Sequence, residues 1–494
     1  MNKQLKAMSR VVFAMFIVLF FSVTMIQFVS ADDLRSNELN QRSIKNSYKI
    51  ERGSILVDGE PIAYSTPTGD DYRFERQYPN GELYAPVTGY FSRTQGSSGL
   101  ENAMNDQLSG FGNSQFFTRL VRTITGEEPQ GNSVETTIDA GVQQAMWDAM
   151  GEFSGAAIAL EPDTGKVLGM VSKPSYDPNL LSLNDDADVI ANYSELEEDP
   201  SNPLFNRTIG GDLYHPGSTY KLIVAAAAIE NGTATPESTF ENPSTLQLPQ
   251  SSAVMRNNWL GICGSNPDST TLMQAITYSC NIPIAELAMS MDRDAVPAMA
   301  KEFGFEEDLT IPLAVTPSVA PAPLDDAQVA ISSIGQLDVK ATPLQMAMVA
   351  AGIANDGVVM KPNLVERVIT PDLRTESEFR AEEFSNPISE STASELQSMM
   401  ESAVGSPDGS AAVAAVEGAR VGGKTGTAEN GFDENGDPLP YTLWYTGYGF
   451  KDDKQIAVAV VIEDGGGEAY DFVGTSGDLP TKVGKQIMEA VLNQ

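Results

Sequence analysis

Histidine and cysteine are scarce in this 494-residue chain, and their scarcity narrows the chemistry before any motif is read. There is one histidine, His215, and two cysteines, Cys263 and Cys280. One histidine cannot furnish an H-E-x-x-H site, and no cysteine–histidine group has zinc-ligand spacing. Bases are also few: 31 lysines and arginines against 67 acids give a formal charge of −36. Nucleic acid is therefore not an expected partner, because phosphate binding needs clustered cations. Docking on anionic lipid is disfavoured for the same reason. Apolar residues are not lacking. At 41% hydrophobic and 8% aromatic, the chain can build ordinary cores and does not have a disordered profile. Its length suits two or three domains.

One apolar run stands out, "VVFAMFIVLFFSVTMIQFV", from Val11 to Val29. As a helix rising about 1.5 Å per residue, it nearly matches a hydrocarbon core of roughly 30 Å. Lys3, Lys6 and Arg10 precede it, and all 67 acids follow residue 30. A cleaved signal peptide is one reading, with "VSA" before Asp32 as its cleavage site. The run exceeds the usual signal-peptide core of about 7–15 residues, so an uncleaved anchor is preferred. Either way the positive flank stays inside and the remainder lies outside the cytoplasmic membrane.

Three regions are expected: 1–30 as tail and anchor, 31–135 as a small strand-rich pedestal, and 136–494 as the chemical domain. The first boundary follows the apolar run. The second follows "GEEPQGNS", Gly126 to Ser133, which looks like a linker. Beyond it, "TTIDAGVQQAMWDAM" places apolar residues at helical spacing. "GAAIALEPDTGKVLGMVS", Gly155 to Ser172, reads as a hairpin turning at "PDTGK". "YKLIVAAAAIENG" is apolar on nearly every face, which marks a buried helix, and "PLQMAMVAAGIANDG" is similar. Strands return in "ARVGGKTGTAE", "TLWYTGYGF" and "QIAVAVVIED", followed by a helix from about Thr481 to Leu492. The pattern predicts an α+β domain in which both ends complete one antiparallel sheet around a helical middle.

The stretch "HPGSTYKL" poses the chemical question. Ser218 has His215 three residues before it and Lys221 three after. At helical spacing Lys221 shares a face with Ser218. A helix start supplies free N–H groups for a developing anion. A lysine desolvated in a core helix, or flanked by a second cation, has a depressed pKa and can serve as a base. His215 lies beyond a Pro-Gly turn, and no orienting acid is evident for it. A capping serine followed by a snorkelling lysine would also satisfy S-x-x-K, but here the lysine enters an otherwise apolar helix.

Two further elements complete a set. "SCN" presents Ser279 and Asn281, a hydroxyl and an amide suited to proton shuttling and to holding a substrate amide. "KTGT" presents Lys424, Thr425 and Thr427, which would bind a carboxylate, while Gly426 permits close backbone approach. Ser182 and Asn184 also match S-x-N, but only the later pair fits the order S-x-x-K, S-x-N, K-T-G. That ordered set marks penicillin-binding proteins and class A β-lactamases.

With these motifs the sequence resembles a class B penicillin-binding protein, most closely the shorter actinobacterial branch. "RGSILVDGE", "GSSGLENAMNDQLSG", "TTIDAGVQQA", "SKPSYDPN", "SIGQ" and "LWYTGYGF" resemble further landmarks of that family. The resemblance implies a β-lactamase-like transpeptidase domain on a pedestal behind a single-pass anchor. It implies Ser218 as the acylated nucleophile, Lys221 as its base, and Ser279 and Asn281 as proton relay and substrate holder. Lys424, Thr425, Gly426 and Thr427 would receive the terminal carboxylate of a D-Ala-D-Ala stem peptide, with N–H groups of Ser218 and Thr427 as oxyanion hole. No metal or cofactor is required. Implied partners are peptidoglycan stem peptides and lipid-linked precursors, β-lactams, and a SEDS-type membrane glycan polymerase. The family usually has proline where this chain has His215, which favours lysine as the base.

A serine β-lactamase would need an E-x-x-L-N segment before the K-T-G strand, and the only match, "EAVLN", follows it. A non-catalytic β-lactam sensor or scaffold would not need all three motifs. A glycosyltransferase domain does not fit in the roughly 100 residues upstream. The two cysteines are expected to pair in an oxidising compartment, two buried thiols being the alternative; Cys280 would then tether the SCN turn.

Overall fold

The computed structural model describes residues 2–26, 50–70, 72–110, 130–211, 213–257 and 261–494. The expected apolar run starts within helix α1 (Asn2–Thr24), whose described apolar side chains from Val11 onward are exposed. Among the described residues this is the one helix long and apolar enough to cross a membrane. Residues 27–29 of the run, and 126–129 of the expected linker, lie outside the described residues.

The pedestal is built on β1 (Ile55–Val57), β2 (Glu60–Pro67), β3 (Phe74–Gln77) and β4 (Ser133–Thr136). Its sheet is six-stranded. Two strands from far along the chain, β7 (Val365–Ile369) and β8 (Thr375–Glu378), complete it in the order β8-β7-β4-β1-β2-β3. β7 pairs antiparallel with β4, and β4 parallel with β1. Strand β4 runs across the boundary expected at 135/136. Two of the landmark segments meet beneath the sheet. Arg52 of "RGS" and Arg76 grip the fully buried Glu101 of "GLENAMN" at 2.5 and 2.6 Å. Removing Glu101 would leave two buried cations uncompensated.

The larger sheet has the order β9 (Arg420–Ala428), β10 (Thr442–Lys451), β11 (Lys454–Ile462), β5 (Gly155–Leu160), β6 (Val167–Lys173), antiparallel throughout. Both ends of the domain complete one sheet, as the sequence predicts. Side chains alternate across it. Ile456, Val458, Val460 and Ile462 pack on one face with α2 (Ala140–Met150) and α6 (Leu479–Leu492). Ala457, Ala459 and Val461 face α5 (Pro343–Ala354) on the other. The small residues on that second face let the alanine-rich helix lie close to the sheet. Helix α3 (Lys221–Glu230) is buried from Lys221 through Ala228, as its uniformly apolar sequence demands.

Candidate active site

The three motifs converge at the end of α3 and the inner part of β9. Ser218 does not open the α-helix itself, as its spacing suggests. It sits in a short 3₁₀ turn, Gly217–Tyr220, and α3 begins at Lys221. The Thr219 hydroxyl donates to Pro216 O at 2.7 Å and closes the turn from inside. The Ser218 side chain is left half-buried at the head of the helix.

Two glycines let this turn press against β9. Gly217 has φ +55, and a Cβ there would lie 2.5 Å from Thr427 O; a Cβ on Gly426 would lie 2.6 Å from Pro216 O. No side chain fits either gap. The contact brings the Ser218 segment against the Thr427 backbone, the two segments whose N–H groups are expected to form the oxyanion hole.

Lys221 is fully buried. Its Nζ donates to Ser279 O at 2.8 Å, Cys280 O at 2.9 Å and Asn281 Oδ1 at 2.7 Å. The amine thus faces the SCN turn. A hydrogen bond to Ser218 Oγ, expected from the i, i+3 spacing, is not among the described contacts. Burial, then the charge of Lys424, hold the Lys221 pKa well below its ordinary value. Lys424, also fully buried, donates to Ser279 Oγ at 2.6 Å and to Thr425 O at 2.9 Å. Burial pushes its pKa down to about 7. Ser279 therefore bridges the lysines, its carbonyl to Lys221 and its hydroxyl to Lys424. It adopts φ +59, a left-handed conformation uncommon outside glycine, asparagine and aspartate.

Asn281 is largely committed within the protein. Its Oδ1 accepts from Lys221 and its Nδ2 donates to Arg256 O at 2.8 Å. Thr425 is buried, whereas Thr427 is exposed and shares a 3.0 Å hydrogen bond with Ser476 Oγ. The His215 ring engages a backbone partner, Nδ1 lying 2.8 Å from Val339 O. That carbonyl only accepts, so Nδ1 is the donor. The cysteines form the expected disulfide, both ends buried. Cys280 sits between Ser279 and Asn281, so the bond anchors the turn that carries both.

Several supporting residues escape sequence reasoning. Asn257 Oδ1 accepts from the N–H groups of Asn281 and Ile282, both at 2.9 Å, and so secures the start of α4 (Ile282–Ser290). Tyr214 donates to Glu463 at 2.6 Å and packs edge-on against Trp444, whose Nε1 donates to His215 O at 3.0 Å. These contacts brace the chain leading into Ser218. Ser476 and Glu463 stand in a glycine-rich stretch with no motif around them. Asn257 lies 24 residues from the backbone it caps.

A transpeptidase fold on a pedestal, with a serine beside two buried lysines, defines a class of protein, and comparison with known proteins agrees. The penicillin binding protein transpeptidase domain matches residues 155–489, and the penicillin binding protein A dimerisation domain matches residues 52–134. The chain belongs to the penicillin-binding protein transpeptidase family. It is 40% identical to peptidoglycan D,D-transpeptidase PbpA of Mycolicibacterium smegmatis, over 100% of both chains. Among solved structures it resembles penicillin-binding protein A from M. tuberculosis in its ceftriaxone acyl-enzyme complex, with TM-score 0.84, 37% identity, and coverage of 90% of this chain and 99% of that one. The penicillin G acyl-enzyme complex of the same protein gives TM-score 0.81, 38% identity, and coverage of 89% and 99%.

Proposed function

We propose that this chain is a monofunctional serine D,D-transpeptidase of peptidoglycan, and that β-lactams acylate the same serine. The observation that carries this reading is the junction at Ser279, where two buried lysines meet one serine beside the nucleophile turn. Lys221, whose charged form is disfavoured by burial and by Lys424, gives up a proton as it leaves its acceptors in the SCN turn. As the free amine it then takes the proton of Ser218 Oγ as that oxygen attacks the penultimate D-Ala carbonyl. The N–H groups of Ser218 and Thr427 hold the oxyanion. The terminal D-Ala leaves as an amine, receiving a proton relayed from Lys221 through the Ser279 hydroxyl. An acceptor stem amine then attacks the acyl-enzyme ester, giving up its proton along the same route. The cross-link forms and Ser218 is released. Lys424, Thr425 and Thr427 hold the terminal carboxylate of the donor stem, and Gly426 gives the backbone room to approach.

Asn281 holds Lys221 in place as well as facing substrate. The lysine moves from its carbonyl partners to Ser218 when substrate enters, since catalytic hydrogen bonds often tighten only in the complex. In this reading residues 1–30 are a cytoplasmic tail and single-pass anchor with the N-terminus inside. Residues 31–135 form the pedestal, and 136–494 carry the extracytoplasmic chemistry on lipid-linked precursors and nascent strands. Anchor and pedestal together are the docking surface for a SEDS-type glycan polymerase. The test is reconstitution of the full chain in lipid with D-Ala-D-Ala stem peptides. Dimeric cross-linked product, abolished by Ser218→Ala, supports the reading. Persistent penicillin binding without either cross-linking or D-Ala release contradicts it.

A further inference from the structure

Beyond Thr427 the active-site strand leads to a pocket that the reaction as described does not use. It has a volume of about 440 Å³, and Tyr214, His215, Lys340, Glu429, Asn430 and Thr442 line it. It shares the chain immediately before Ser218 and the continuation of β9. Glu429 lies two residues past Thr427, which is about 7 Å along an extended chain and on the same face.

Most polar groups in the pocket are already engaged. Tyr214 donates to Glu463. Asn430 donates to Pro440 O and Thr442 Oγ1. His215 Nδ1 faces Val339 O. Lys340 and Glu429 differ. Both side chains are exposed and line the pocket, and among the described residues neither enters an ion pair with the other or with any third group. Two opposite charges that share a pocket without closing on each other suit a ligand that carries both charges.

The direction of the donor stem brings such a group there, an argument that rests on the transpeptidase reading above. With its terminal carboxylate at Lys424 and Thr425 and its scissile carbonyl between Ser218 and Thr427, the stem must continue toward Glu429. We infer that the pocket receives the side chain of the residue preceding the acylated D-Ala, and that Lys340 and Glu429 select a side chain ending in both an ammonium and a carboxylate over one ending in an ammonium alone. The ammonium goes to Glu429 and the carboxylate to Lys340. No bond is made or broken in this pocket; it sets which stem is presented to Ser218.

The experiment uses the full chain and two N-blocked donor peptides ending in X-D-Ala-D-Ala, where X is diaminopimelate or lysine. Release of D-Ala is followed for the wild type, Lys340→Glu and Glu429→Gln. Benzylpenicillin labelling of each protein reports whether Ser218 is still reactive, so the comparison is a ratio within one enzyme. For a solvated charge pair the wild type should prefer the diaminopimelate peptide by about fivefold. Lys340→Glu should cancel or reverse that preference, and Glu429→Gln should slow both peptides. Equal ratios in wild type and Lys340→Glu would overturn the proposal. A change confined to partitioning of the acyl-enzyme to an added amine acceptor would place the acceptor there and overturn the donor assignment. If penicillin labels Ser218 but neither peptide releases D-Ala, the transpeptidase reading itself fails.

Discussion

Lys424 Nζ lies 2.6 Å from Ser279 Oγ, and this contact couples the K-T-G strand to the S-x-N turn. Lys221 holds the carbonyl of the same serine at 2.8 Å, so one residue senses both cations. Ser279→Ala removes the hydroxyl but keeps the carbonyl. Acylation by penicillin should fall by about 100-fold, within the usual span for a lost proton relay, while the fold is kept. Stopped-flow acylation kinetics check this; an unchanged rate would mean that protons bypass Ser279.

The two lysine pKa values set the pH profile. Lys221 must be neutral to act as a base, and burial followed by the Lys424 charge holds its pKa well below the ordinary value. Acylation should therefore rise with pH far earlier than an unperturbed lysine would allow. Lys424, at about 7, loses its charge on the alkaline side and with it the carboxylate grip proposed for it, so the profile should be bell-shaped. Lys424→Met removes the neighbouring cation and should move the acid limb to higher pH. An acid limb that stays in place would show that Lys424 does not act on Lys221.

The same shift has a consequence for stability. Lys424 has a folded-state pKa of about 7 against an ordinary value of 10.5. Between these values the unfolded chain binds the extra proton, so stability rises with pH through that window. Below about 7 both states are protonated, and the full cost of burying the charge is present. The Tm of Lys424→Met minus that of wild type should be largest below pH 7 and shrink as pH approaches 10. A difference that does not vary with pH would contradict the burial argument.

Much of this was legible in the sequence because its signals are local. The buried helix α3 announces itself by lacking a polar face, β10 by its aromatic residues and β11 by its valines and isoleucines. The three motifs named the residues that meet at Ser279, and the cysteine spacing was compatible with the bond at Cys263–Cys280. What escaped depends on contacts distant in the chain. Strand β7 joins β4 across more than two hundred residues, and nothing in "VERVI" names its partner. The bond between Ser476 and Thr427, and the Asn257 cap on Asn281, are likewise set by tertiary placement. The i, i+3 rule put Ser218 and Lys221 on one face, but Ser218 lies in a 3₁₀ turn and the buried amine found three acceptors in the SCN turn instead.

Gly217 offers a direct probe of the packing between the Ser218 turn and β9. Gly217→Ala places a methyl 2.5 Å from Thr427 O at φ +55. The backbone must shift, and a displacement on the order of 1 Å at a catalytic group can cost about 100-fold. Acylation should fall accordingly, while circular dichroism and the disulfide stay as in the wild type. Wild-type rates would show that the Ser218 and Thr427 backbones need not be in register.

Reducing Cys263–Cys280 should slow acylation without abolishing it, because the bond anchors the turn that holds Ser279 and Asn281. For a loop of this size, loss of the cross-link frees roughly 3 kcal/mol of unfolded-chain entropy, so Tm should fall as well. Cys263→Ser/Cys280→Ser gives the same test without reductant. If the double variant is acylated at the wild-type rate, the disulfide serves stability alone.

The central claim is that Ser218 is the nucleophile and Lys221 its base. Labelling with fluorescent penicillin, followed by peptide mapping of the adduct, tests it most directly. The adduct should map to Ser218, vanish in a folded Ser218→Ala, and form orders of magnitude more slowly in Lys221→Ala but not in His215→Ala. An adduct that persists on another serine in Ser218→Ala, or a rate that collapses in His215→Ala while Lys221→Ala reacts normally, would contradict it.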